Sequence, residues 1–210
     1  MASHWHPTSS AAQPGHATVA QPPTAPDLWI AVYLTREVKV YHWAIFATPR
    51  DVFPSASTPM LVHQLVLQDQ TDSVGATTRT WSTFHQVVTL EGTNRFLGVV
   101  RLPHTTYTTY DRVVQDMVNW PVWPGYPQQL QPPADWSCSW WIVYNLCASA
   151  PYWGLRLMLS GQALHDHIFR LTVALQQHQP SCSQWPPVDN GMWFIDYDTL
   201  DLVQSRHGGR

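Results

Sequence analysis

Between Leu28 and Leu102 the chain is a succession of short runs rich in β-branched and aromatic residues, and after Pro103 that pattern stops. The runs are LWIAVYL (28–34), VKVYHWAIFAT (38–48), MLVHQLVLQ (60–68), TFHQVVTL (83–90) and RFLGVVRL (95–102). Each has strand length, and turn residues such as TPRD, DQTDS and EGTN separate them. Links this short favour antiparallel pairing, because a parallel return needs a long crossover. Past Pro103 the apolar period becomes helical. Val113, Val114 and Met117 recur at helical spacing in TTYDRVVQDMVNW (108–120), behind threonines that can cap. SCSWWIVYNLCAS (137–149) is apolar on nearly every face, which predicts a buried helix. Leu164, Ile168, Leu171 and Leu175 form the stripe of another, and GMWFIDYDTLDLV (191–203) predicts a closing strand or a short turn of helix. Strands first and helices after is the α+β pattern. The expected architecture is an antiparallel sheet packed on a buried helix with flanking helices.

A chain of 210 residues suits one domain with a sizeable core. Residues 1–26 are Pro, Ala, Ser, Thr and Gln without periodicity, which predicts a disordered leader. The α+β domain is expected over 27–203, with 204–210 as a frayed tail. Charged residues make up 12% of the chain, and its net charge is −3, which argues against an electrostatic grip on nucleic acid or anionic membranes. No apolar stretch reaches the roughly 18 residues of a membrane span, and the N-terminus lacks the basic start and apolar centre of a secretory signal. Three cysteines do not suit a disulfide framework. Cys138 and Cys147 on one helix would lie about 13 Å apart in rise, too far to bridge. A reduced, cytoplasmic protein is expected. His165 and His167 face different ways on a helix, and Asp196, Asp198 and Asp201 read as a solvated face. With no G-x-G-x-x-G, P-loop or CxxC, no metal and no cofactor is implied.

The chemistry-bearing feature is DWSCSWWIVYNLC (135–147), where a polar loop gives way to the buried helix at Cys138. Unpaired N–H groups and the helix dipole at such a position favour a thiolate. The other reading of Cys138 is a small core side chain, since free cysteine is among the most buried residue types. A base would separate the two. YHWAIF places His42 mid-strand, with Val38, Val40, Ala44 and Phe46 on its own face. His63, in LVHQLVL, follows on the next run. Should the two runs pair, the imidazoles could share a face and His63 could hold the tautomer of His42. His85 and His104 are rival partners.

A strand with HW-aliphatic-aromatic, followed much later by a buried helix opening with Cys, resembles the circularly permuted papain-like enzymes. The lecithin retinol acyltransferase family has this order: His on a strand, a second polar residue on the next strand, then Cys at a helix start. The resemblance implies a papain-like core in permuted order over residues 28–178, with His42, His63 and Cys138 at the matching positions. SCSWW also resembles the C-G-[SA]-C-[WY] signature of papain, with the aromatics two and three residues after the Cys. HWAIF together with CSWWIV is similar to an uncharacterised fungal family with HW and C-x-x-W motifs. Two departures from the acyltransferase pattern stand out: Ser137 and Ser139 flank the Cys instead of an Asn-Cys-Glu-His context, and His42 lies further from His63.

The expected activity is thiol-dependent hydrolysis or acyl transfer on an amide, ester or thioester of a hydrophobic small molecule. Cys138 is the nucleophile, His42 the base and His63 the orienting group, with N–H groups at the helix start as the oxyanion hole. The chain also holds 12 Trp. Trp43, Trp120, Trp123, Trp136 and Trp141 are candidates for an aromatic-walled substrate pocket near the 121–136 loop; the alternative is that they are packing. An aromatic pocket without covalent chemistry would instead make the chain a binding protein, or a non-covalent cyclase or isomerase of fungal specialised metabolism.

Overall fold

The computed structural model describes residues 25–37, 40–92, 95–123, 135–178 and 192–205. The expected leader lies outside the described residues but for 25 and 26, as do residues 206–210 of the expected tail and most of the 121–136 loop. Strands β1 (Asp27–Leu34), β2 (Tyr41–Thr48), β3 (Met60–Thr71), β4 (Thr77–Val88) and β5 (Phe96–Arg101) come first, then helices α1 (Tyr110–Val118), α2 (Cys138–Trp153) and α3 (Gly161–His178). A closing pair, β6 (Met192–Asp196) and β7 (Leu202–Ser205), completes an α+β fold. The strands form one seven-stranded sheet in the order β4-β3-β2-β1-β5-β6-β7.

The sheet is mixed, and this corrects the expected antiparallel one. β5 and β6 run parallel, with Val99 opposite Phe194. All three helices lie between those strands in sequence, so the chain has the crossover that a parallel return requires. The remaining neighbours pair antiparallel, as the short links require.

β1 is the centre of the sheet and is buried on both faces, which is why LWIAV is an unbroken apolar run. Leu28, Ile30 and Val32 face the helices, in one core with Tyr41, Trp43, Ile45, Leu65 and the inner residues of α2 and α3. Trp29 and Ala31 face the other way, in a second core with Ala44, Phe46, Val62, Phe96 and Phe194. α2 buries Trp141, Ile142, Val143, Leu146 and Trp153 but leaves Tyr144, Ala148, Pro151 and Tyr152 exposed, so one face is open to water although its composition predicts burial all round. The helix runs past Pro151 to a left-handed Gly154 at φ 64°.

Gly98 lies where β1 and β5 slip register between Val32 and Tyr33. Its φ is +151°, and a Cβ there would sit 2.5 Å from the Trp193 carbonyl oxygen on β6. The obstacle is backbone, so a side chain can be accommodated only by parting β5 from β6. Gly98→Ala is therefore expected to cost about 3 kcal/mol, read as a lower urea midpoint.

Candidate active site

The site forms where β2 and β3 part. Their register is Ile45 opposite His63. Beyond it, toward Tyr41, the first turn of α2 lies against the edge of β2. The Trp43 N–H, which points away from β1, donates to Cys138 Sγ at 3.4 Å, and the Cys138 thiol reaches the Tyr41 carbonyl at 4.0 Å. The sulfur thus stands where a neighbouring strand would otherwise pair. Ser137 starts the helix from an extended backbone, and its hydroxyl accepts from Trp140 N–H at 3.4 Å.

His42 and Cys138 come together here, close enough for each to shift the acidity of the other. Burial alone would raise the Cys138 thiol, which is 8% exposed. The charge and hydrogen bond of His42, helped by the Trp43 and Ser139 N–H groups, outweigh burial and hold the thiol below its ordinary value. His42 shows the counterpart. Burial disfavours its charged form, but the Cys138 charge and hydrogen bond, with Gln64 behind them, raise it to about 8. Opposite displacements of the two groups favour a thiolate–imidazolium pair.

Gln64 makes the orienting contact expected of His63. Its Oε1 lies 2.7 Å from His42 Nε2. That oxygen can only accept, so Nε2 carries a proton and Nδ1 is the nitrogen left for Cys138. Strand parity is the reason for the correction. Residues directly opposite in an antiparallel pair share a face. His63 therefore lies with Ile45 on the helix side, while His42 and Gln64 lie on the other. His63 is fully buried and meets His85 instead, Nδ1 to Nδ1 at 2.9 Å. His104 bonds Asp27 at 2.7 Å, by the start of β1.

The chain matches no family model, no curated protein and no solved structure. What the site can do must therefore come from its own atoms.

The tryptophans expected to line a pocket beside Cys138 are largely packing. Trp43 and Trp141 are at most 1% exposed, and Trp120 and Trp136 are buried too. Trp120 stacks on Trp153 at 5.7 Å and meets Trp141 edge-on at 5.4 Å. Half-buried Trp123 meets Trp136 edge-on at 4.6 Å. Packing at this density leaves most of these rings as walls of the core; Trp120 also borders a cleft beside α1.

Besides Gln64, sequence reasoning missed His165. Its ring stacks 4.4 Å from Trp140 and 5.4 Å from Trp43, and its Nε2 lies 3.0 Å from the hydroxyl of Ser139, next to the thiol. Trp43 in YHWAIF and Trp140 in SCSWW are the signals that could have pointed to an aromatic clamp there. Among the described residues no three His, Cys, Asp or Glu side chains come together as a metal ion would need, and no helix is long and apolar enough to cross a membrane.

Proposed function

We propose that this chain is a thiol-dependent hydrolase or acyltransferase acting on an ester, thioester or amide of a hydrophobic small molecule, with a papain-like core in permuted order. The observation that carries the reading is the line from Gln64 through His42 to Cys138, with both displaced acidities favouring the ion pair. Strand histidine, polar partner on the next strand and cysteine at a helix start follow the chain order of the lecithin retinol acyltransferase resemblance, with Gln64 in the second place.

Cys138 Sγ, as thiolate, attacks the carbonyl carbon, and the carbonyl π pair moves onto oxygen. The N–H of Cys138 has no carbonyl partner within its helix, being its first residue, and in this reading donates to that oxyanion. As the tetrahedral species collapses, His42 Nδ1–H gives its proton to the departing oxygen, sulfur or nitrogen, leaving an acyl thioester on Cys138. Neutral His42 then takes a proton from water or from an acceptor alcohol or amine, which displaces the acyl group and restores the thiolate. Gln64 keeps the imidazole in the tautomer this needs and disperses its positive charge.

Intact-mass measurement after mixing the protein with p-nitrophenyl acyl esters tests this. An added acyl mass localised to Cys138, absent from Cys138→Ala together with a fall of about 1,000-fold or more in p-nitrophenol release, is the expected result. Equal release by wild type and Cys138→Ala would sink the proposal.

A further inference from the structure

α1, the C-terminal half of α2 and the segment before α1 enclose a cleft of about 730 Å³. Along α2, the helical rise puts Asn145 about 10 Å and Trp153 about 22 Å from Cys138, so the cleft is a place apart from the thiol. We propose that it binds a neutral, flat aromatic molecule that donates one hydrogen bond, from a phenol or an indole-type N–H, to Asn145 Oδ1.

The size suits a small organic ligand, for which pockets of about 300–1,000 Å³ are usual. Trp120 and Trp153, stacked at an angle of 17°, give one wall. Tyr107 and Tyr152 also line the cleft and are 78% and 79% exposed, an unusual state for two neighbouring large rings. A flat ring entering between them covers aromatic surface that is now wet.

The polar atoms narrow the chemistry. The Trp120 indole N–H donates to Ser149 Oγ at 3.1 Å, and that of Trp153 to Asp116 Oδ2 at 2.9 Å. Arg112 meets the other Asp116 oxygen at 2.9 Å, so the two charges answer each other and leave none for a ligand. Asn145 is different. It is 2% exposed, and its Nδ2 donates back to the Trp141 carbonyl at 2.9 Å, but no donor among the described residues reaches its Oδ1. That oxygen is not sealed from solvent: water in the cleft can reach it, and a ligand donor would take that water's place.

The cleft is also built in advance. Thr106 and Tyr107 both donate their backbone N–H to the Trp153 carbonyl, at 3.0 and 3.2 Å, and the Thr106 hydroxyl donates to the Gly154 carbonyl at 3.1 Å. These bonds fix the Tyr107 side of the mouth to the end of α2, so little ordering is left for binding to impose.

2-Naphthol and 2-methoxynaphthalene share a ring system, and only the first can donate. Titrating each into the full chain while following the Trp120 indole N–H resonance, assigned with Trp120→Phe, separates ring stacking from the hydrogen bond. 2-Naphthol is expected to shift that resonance with a dissociation constant of about 0.1–1 mM, and the methyl ether to bind about 10-fold more weakly. Asn145→Ala should erase the difference between them. Tyr152→Ser alters an exposed ring the fold does not depend on, and should weaken both ligands about 5-fold. Equal binding of the two naphthalenes to wild type, or no shift of the Trp120 signal with either, would overturn the proposal. Should Asn145→Ala fail to fold, the ligand pair on wild type and Tyr152→Ser still decides it.

Discussion

In His42→Ala, iodoacetamide is expected to label Cys138 about 100-fold more slowly at pH 6.5 than in wild type. Burial is the largest influence on this thiol and pushes its pKa up; the His42 charge and hydrogen bond are what reverse it. Without His42 the two backbone N–H groups remain, but no positive charge does, and a buried neutral thiol is the stable form. The fall in thiolate fraction is partly offset because a more basic thiolate is the better nucleophile, so the rate changes less than the ionisation does. Gln64→Ala removes a neutral partner from the far nitrogen of the same ring and should slow labelling less, by about 3- to 10-fold. The window follows from both groups: the ion pair fades as pH rises through the raised His42 value of about 8, and is lost again in acid once pH falls through the depressed pKa of Cys138. Mass spectrometry of the labelled peptide against pH, in wild type and both variants, reads all of this. Equal rates in wild type and His42→Ala across pH 6–8 would make Cys138 a core residue that happens to lie beside an imidazole.

The strand block and the helix block were legible because each rests on local periodicity. LWIAVYL, YHWAIFAT and RFLGVVRL alternate between two cores along their own length, and no distant partner is needed to see that they are strands. The parallel joint of β5 to β6 had no local signature, since the edge that a strand takes on returning from three helices depends on the whole sheet. The second polar partner of the site was missed by one residue. His63 and Gln64 are adjacent, and only the register of Ile45 opposite His63 decides which of them shares a face with His42. An imidazole drew attention that the neighbouring amide, chemically quieter, did not. The tryptophans show a further limit: composition registers an aromatic surplus but cannot tell a ring that walls a cavity from one packed on both sides, such as Trp43 or Trp141.

The histidine left out of the site has its own consequence, in acid. His63 is fully buried, its Nε2 has no hydrogen-bond partner, and burial together with the neighbouring His85 lowers its pKa to about 4. In the unfolded chain the same group titrates near 6.5. Between these values the unfolded state takes up a proton that the folded state refuses, so stability is complete above about pH 6.5 and falls as pH drops toward 4. At about 1.4 kcal/mol per unit the loss from His63 is about 3 kcal/mol, a large part of a typical domain's stability. His85 and His165 are lowered by burial as well and add to the same slope. His63→Leu isolates the term. Leucine leaves no polar atom to protonate and none to bury unpaired, and His85, half-buried on β4, can turn to water. The variant should match wild type at pH 7.5 to within about 1 kcal/mol and exceed it by about 3 kcal/mol at pH 4, in urea unfolding followed by tryptophan fluorescence. Parallel stability curves for the two proteins from pH 7.5 to 4 would mean that the His63–His85 pair opens and hydrates before it is protonated, and that the acid sensitivity of this fold resides elsewhere.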